Sequence, residues 1–390
     1  MIVVMFASLL YVVHGVVAAV LVIASVRLAQ GIRRFRFNPT MTPSRLIEDT
    51  PSVSVVIPAR NESHAMTDCL QAVVNSTYPK LEIIVLNDSS ADRTSSLIKA
   101  FAHDGIRFID GPALPEGWLG KNHALHTLVK EASGAYVLFM DVDTRINPDT
   151  IEQLVAYAAQ ENAAMVSVLP RREDAISFSR LFSPLRYFWE IMFHRAASPA
   201  VASSGWLVDR SAFMKSFGGF ELFKSDVQPE ANIAAAFMKD GRYRFVIGTE
   251  RLGLRYEKKW ASQVHTSIRL LFPLVGARVS HALISVLDLL IVVSPLVILT
   301  TGGFLGWSIH HLIAGLLWMG FAILYAVYLH KVWRHGWWLA PWFWDIVVIQ
   351  EAVLMLVSAW KYKRGTVNWK GRPVMLSSQP VTHRTTAKKN

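Results

Sequence analysis

Two aspartates one residue apart, Asp141 and Asp143, close the apolar run Tyr136-Val137-Leu138-Phe139-Met140. Like charges held so close repel each other and call for a compensating cation. Mg²⁺ is commonly held through one or two carboxylates together with substrate phosphates. The pair is therefore a candidate site for a divalent cation and a diphosphate. A plainer reading is a strand-end turn with aspartate caps, because 144–149 reads as a loop leading to a helix. Lys121, in Pro115-Glu116-Gly117-Trp118-Leu119-Gly120-Lys121-Asn122, is a second candidate. Gly117 and Gly120 permit close backbone approach, and a lysine meets a diphosphate as a point charge. Here the plainer reading is a flexible glycine loop with a solvated lysine.

These residues need elements to carry them. Val53-Ser54-Val55-Val56-Ile57-Pro58 is a β-branched run ending at proline, hence a buried strand. Helical spacing follows over 65–76, then apolar strands at 81–86, 106–109 and 135–140. Asn87-Asp88-Ser89-Ser90 combines a turn with a helix N-cap. Strands alternating with helices predict a largely parallel sheet covered on both faces. Ligands of such sheets bind beyond the strands' carboxyl ends, where these polar residues lie.

The flanks are of another kind. Residues 1–26 contain no Asp, Glu, Lys or Arg, long enough at 1.5 Å per residue to cross a hydrocarbon core of about 30 Å. A signal peptide would have a shorter apolar region and a basic start, so a retained span is expected. A charge-free stretch over 289–330 is too long for one span; Thr300-Thr301-Gly302-Gly303 offers a break, giving helices near 283–300 and 305–330. The apolar segment 337–360 contains Asp345 and Glu351, so it is expected to tilt, to be half-buried or to stop short of spanning. The net charge of +11 is concentrated beside these segments. Arg27, Arg33, Arg34 and Arg36 follow the first, and eight basic residues with no acid lie in 361–390. The other twenty-eight basic residues face twenty-nine acidic ones. That distribution suits a membrane surface and argues against nucleic acid. The arginines after the first span place its C-terminal end, and residues 37–280, in the cytoplasm. Three further spans would then put the basic tail outside, against the positive-inside tendency; a re-entrant segment would resolve the conflict.

A single cysteine, Cys69, excludes an intrachain disulfide or a cysteine-built zinc site. His123, His126, His310, His311 and His330 have no acidic or cysteine partner at metal-site spacing and read as packing residues. Residues 178–195 and 267–284 mix aromatic or aliphatic residues with arginines. They suit helices lying in the headgroup layer, or packing in the core.

Taken in order, VSVVIPARNES, VLNDSSADRT and FMDVDTRINPDTI resemble the family 2 glycosyltransferases with the GT-A nucleotide-sugar fold, over about residues 50–260. The resemblance implies an α/β fold, a Rossmann-like mixed sheet, combined here with transmembrane helices. It implies that Pro58, Ala59, Arg60 and Glu62 line the nucleotide pocket and that Asp88 binds uridine. It places Asp141 near the ribose or donor sugar and gives Asp143, with Asp141, a divalent cation, Mg²⁺ or Mn²⁺. The glycine-lysine loop and Asn368-Trp369-Lys370-Gly371-Arg372 are similar to membrane glycosyltransferases that modify carotenoid acids, hopanoids and ceramides. For the tail motif, surface anchoring is a rival reading. The family's catalytic base precedes a helix, where this chain has Val227-Gln228-Pro229-Glu230-Ala231-Asn232-Ile233-Ala234, with Glu230 in place of an aspartate. Asp226 is a second candidate, and Glu230 also reads as a helix-N-terminal acid favoured by the dipole. The processive members' Gln-x-x-Arg-Trp is degenerate here, Arg255-Tyr256-Glu257-Lys258-Lys259-Trp260, which argues against a processive synthase. Trp260 would line the acceptor site, and Lys259 or Lys121 would neutralise the leaving diphosphate.

The expected organisation is a transmembrane helix at 1–27, a basic linker at 28–47 and the GT-A domain at 48–260. An interfacial helix at 261–282, two to three transmembrane helices in 283–360 and a basic tail at 361–390 follow. The expected function is a multi-pass, inverting hexosyltransferase of the cell membrane, with its catalytic domain in the cytoplasm. Its partners would be a nucleotide-sugar donor, a UDP-hexose, together with a membrane lipid acceptor and the bilayer, and no nucleic acid. A processive polysaccharide synthase and a non-catalytic scaffold are the alternatives.

Overall fold

The computed structural model describes residues 2–38, 50–173 and 181–374. Parts of the linker (39–47), of the stretch 178–195 (178–180) and of the tail (375–390) lie outside the described residues. Twelve strands run in chain order among the described residues. They are β1 (Val53–Ala59), β2 (Leu81–Asn87), β3 (Ile106–Asp110), β4 (Tyr136–Met140), β5 (Thr144–Arg145) and β6 (Met165–Leu169). Then come β7 (Arg171–Arg172), β8 (Gly205–Asp209), β9 (Tyr243–Ile247), β10 (Arg255–Tyr256), β11 (Asn368–Trp369) and β12 (Arg372–Pro373).

The main sheet has the order β3-β2-β1-β4-β8-β6-β9. Its first four strands are parallel, β8 is antiparallel to both β4 and β6, and β9 is parallel to β6. The sheet is therefore mixed. The four strands expected from the sequence form its parallel half, and β6, β8 and β9 complete it. Alternate residues of β1 face opposite ways, as a pleated strand requires. Val53, Val55 and Ile57 join one core, while Val56 joins the other with Val137 and Phe139 of β4.

That second core does not end at the domain. It continues from Phe139 and Trp206 through Phe188 to Tyr325, Tyr328 and Trp344 of the apolar C-terminal helices. Phe188, in the helix Arg186–Met192, meets the rings of Tyr328 and Trp344 edge-on at 5.3 and 5.7 Å. The core alternative for this stretch is thus the one the structure takes. Trp206 stacks on Phe139 with ring centroids 3.9 Å apart beneath the carboxyl end of β4. Trp206→Ala is expected to cost ~3–5 kcal/mol, read as a lowered thermal unfolding midpoint in detergent.

Among the described residues, four helices are long and apolar enough to cross a membrane. They are Ile2–Arg34, Val279–Leu305, Ile309–Val332 and the helix ending at Lys363, which starts at Trp344 after a 3₁₀ turn. The expected break at Thr300-Thr301-Gly302-Gly303 does not occur. Thr300 and Thr301 donate their hydroxyls to the carbonyls of Val297 and Ile298, which keeps them satisfied inside a helix. The chain turns instead at Gly306, where φ is +83°, and Ser308 with His311 caps the next helix. The helix Trp260–Leu274 precedes this pair. The helix Trp344–Lys363 begins beside Trp318, whose indole donates to Asp345 at 2.6 Å, midway along Ile309–Val332. It then runs back along Trp260–Leu274: Gln350 accepts from Trp260, Ser358 from Phe272, and Tyr362 donates to the carbonyl of Arg269.

Candidate active site

Three of the four parallel strands each deliver one part of a single cavity at their carboxyl ends. β1 brings Pro58, Ala59, Arg60 and Glu62, β2 brings Asp88, and β4 brings Asp141 and Asp143. Lys121 reaches in from the first turn of the helix Gly120–Glu131. The cavity then continues to Arg186, Tyr187, Lys258, Arg269 and Tyr328, beside the apolar helices. One concavity thus joins a sheet edge to the apolar helices.

At its centre the two aspartates are compensated differently. Lys121 Nζ contacts Asp141 Oδ1 at 2.5 Å, whereas Lys258 Nζ stands 3.8 Å from Asp143 Oδ2. Burial pushes the Asp141 carboxyl up, but the Lys121 ammonium and its hydrogen bond outweigh it and leave Asp141 below its ordinary value. For Asp143, burial outweighs the pull of Lys258 and, helped by the Asp141 charge, raises it. Asp143 Oδ1 is buried without a hydrogen-bond partner among the described residues. An unsatisfied buried carboxylate oxygen beside a second carboxylate is a donor set that suits a hard divalent cation.

The C-terminal hairpin covers the opposite end. β11 and β12 pair antiparallel through a turn in which Lys370 (φ +47°) and Gly371 (φ +80°) are both left-handed. Two-residue hairpins favour that geometry, and glycine adopts it at no steric cost. Arg372 Nη1 donates to Asp88 Oδ2 at 2.6 Å, and Lys370 pairs with Glu62 and donates to the Arg60 carbonyl at 2.8 Å. Arg60 returns a bond from Nε to the Lys370 carbonyl and another from Nη1 to the Asp88 carbonyl. The described part of the tail motif is therefore folded onto the domain, against the rival reading of surface anchoring. A Cβ at Gly120 would push the Arg372 guanidinium away from its place beside Asp88.

The two candidate bases separate. Glu230, 6% exposed, lines a side pocket that shares Lys121, Ser203, Arg269 and Trp369 with the main cavity. Its carboxyl is raised by burial, against the pull of Lys121. Asp226 instead accepts from Asn232 Nδ2 at 2.7 Å and faces a different groove, with Gln228 and Pro273. Lys259 and Trp260 correct the sequence reading: both are exposed at the start of the helix Trp260–Leu274, outside the cavity lining. Extended chain after β10 alternates its side chains, so Tyr256 and Lys258 face inward in their place. Arg186 and Arg269, which sequence reasoning saw only as amphipathic patterning, also line the cavity. Their signal, arginine among aromatic residues, does not distinguish a lipid surface from a buried site.

The profile of "Glycosyl transferase family 2" matches residues 54–217. This stretch is a family 2 glycosyltransferase domain. The chain is 34% identical over 120 residues to the poly-beta-1,6-N-acetyl-D-glucosamine synthase of Staphylococcus epidermidis, covering 30% of this chain and 28% of that protein. It is 28% identical over 152 residues to the 4,4'-diaponeurosporenoate glycosyltransferase of Staphylococcus aureus, covering 38% and 40%. The chain thus matches less than half the length of these curated relatives. Among solved structures, the mannosyltransferase PcManGT of Pyrobaculum calidifontis, in complex with GDP-Man and Mn²⁺, aligns with a TM-score of 0.54. At 18% identity it covers 90% of this chain and 98% of that one, a likeness of fold. The fold is GT-A, with apolar helices added.

Proposed function

We propose that this protein is a multi-pass membrane glycosyltransferase that moves a hexose, with inversion, from a UDP-hexose to a lipid acceptor at the cytoplasmic face. The observation that carries this reading is the continuity of the cavity. Asp88 and Arg60 lie at one end, Asp141 and Asp143 at the centre, and Arg269 and Tyr328 at the membrane end. A sugar bound at the centre would meet a water-soluble donor from one side and a lipid from the other.

Asp143, with Asp141, would hold Mg²⁺ or Mn²⁺, which when bound supplies positive charge to the donor's diphosphate. Pro58, Ala59, Arg60 and Glu62 would line the nucleotide, and Asp88 would accept from the base once Arg372 gives up its carboxylate. Lys121 and Lys258 would face the negative charge that develops on the leaving UDP. Glu230 would take the proton of the acceptor hydroxyl. The acceptor oxygen then bonds to the anomeric carbon as the carbon–phosphate-oxygen bond breaks, and its electron pair leaves with UDP.

The hairpin supports a topology. Four crossings would carry residues 368–373 away from the domain they pack on. With Ile2–Arg34, Val279–Leu305 and Ile309–Val332 crossing and Trp344–Lys363 re-entrant, domain and basic tail share the cytoplasmic side, as positive-inside favours. The likeness to a polymer-forming synthase favours a second reading, processive synthesis. Full-length protein in vesicles of membrane lipid extract, given labelled UDP-hexoses and Mn²⁺, is expected to yield an organic-soluble lipid larger by one hexose in mass spectrometry. A water-soluble polymer instead would establish the second reading, and no transfer with any donor would sink both.

A further inference from the structure

The two arginines at the membrane end of the cavity are compensated unequally. Arg186 pairs with Glu190 at 2.7 Å and donates a further bond to the Val201 carbonyl. Arg269 has no carboxylate within ion-pair distance among the described residues. Its guanidinium lies over the Trp369 ring, 5.3 Å from the centroid, and its Nε is buried without a hydrogen-bond partner. Burial pushes its pKa down, with Glu230 opposing, yet a guanidinium stays charged in proteins. A buried charge is costly unless it is paired.

The position of Arg269 narrows what could pair with it. It lines both the main cavity and the side pocket of Glu230. The Tyr362 hydroxyl bonds to its backbone carbonyl at 2.6 Å, which ties this turn to the helix Trp344–Lys363. The diphosphate region already has Lys121 and Lys258 beside the two aspartates, and the nucleotide end has Lys370 and Arg372. Those four cations each face a carboxylate. Arg269 shares the side pocket with Lys121 and Arg372 and lies in a cavity also lined by Leu270, Leu271 and Tyr328, but it faces no carboxylate within ion-pair distance among the described residues.

We infer that Arg269 binds the anionic headgroup of an acidic lipid acceptor, a phosphate or a carboxylate. This deepens the lipid glycosyltransferase reading and rests on it. The planar guanidinium fork fits either anion through two parallel hydrogen bonds, and stacking on Trp369 holds the fork in place. Glu230, in the adjoining pocket, serves the hydroxyl of the same headgroup. A head carrying both an acid and a hydroxyl satisfies both residues.

Binding of matched probes to the full chain in neutral detergent tests this. Dioleoylphosphatidylglycerol is compared with dioleoylglycerol, and 2-hydroxyhexadecanoic acid with 1,2-hexadecanediol. At least one acid is expected to bind about tenfold or more tightly than its neutral counterpart, the scale of one charge-assisted pair. The pair with the larger ratio identifies phosphate or carboxylate as the group recognised. Arg269→Gln is expected to abolish the ratio while leaving affinity for UDP with Mn²⁺ unchanged, and Arg269→Lys to retain part of it. Equal binding of acids and neutral lipids to the wild type would overturn the inference. So would an undiminished ratio in R269Q, or a loss of UDP affinity in both Arg269 variants with the ratio intact, which would assign Arg269 to the diphosphate. Absence of UDP binding to the wild type would instead overturn the donor site, a result separate from all of these.

Discussion

Asp143→Asn is expected to abolish Mn²⁺-dependent UDP binding and to lower turnover by about 10²–10³-fold, the scale for removing one electrostatic partner of a developing charge. The substitution keeps the volume of the side chain and removes one negative charge from a buried pair. Asp143 Oδ1 has no hydrogen-bond partner among the described residues, which leaves it free for the proposed cation. Stability should not fall, because the charge removed is repelled by Asp141 and disfavoured by burial. Calorimetric titration of UDP with and without Mn²⁺, with a thermal unfolding scan of the same sample, checks both parts. Full turnover by a folded D143N would remove the cation site.

Glu230→Gln is expected to lower kcat by about 10²–10⁴-fold, the usual contribution of a general base, with UDP affinity unchanged. The glutamine fills the same space in the side pocket but cannot accept a proton. Burial raises the Glu230 carboxyl above its ordinary value, and Lys121, Arg186 and Arg269 pull against that rise. Because the deprotonated form is the active base, the rate should fall as pH drops through this raised value. The acidic limb of the wild-type profile should therefore lie above the usual glutamate range and vanish in E230Q. Glu230→Asp withdraws the carboxylate by about an ångström, a shift to which attack geometry is sensitive, so it should retain only part of the rate. If E230Q keeps full kcat while Asp226→Asn loses it, the base is Asp226.

The strand-end part of the cavity was legible because its residues are local to their strands. Apolar runs ending at Pro58, at Asn87-Asp88 and at Asp141 each place polar residues at a strand's carboxyl end, and parallel pairing gathers those ends. β6, β8 and β9 left a weaker trace. β8 is entered after an irregular stretch and runs antiparallel, so no alternation with helices announces it. The choice between Lys258 and Lys259 turned on one residue of register, which flips a side chain from one face to the other.

What the sequence determined by itself is the set of short-range patterns: apolar length, strand runs, and acids closing them. These depend on backbone periodicity and survive without knowledge of neighbours. Only the tertiary structure decided which distant charges meet. Arg372 lies 284 positions from Asp88, and Lys370 lies 308 from Glu62, yet each pair closes one end of the cavity. The same contacts decided that the basic tail motif packs on the domain and that Arg269 is left unmatched. Charge pairing falls off with distance in space, not along the chain, so its outcome is fixed only when packing sets those distances.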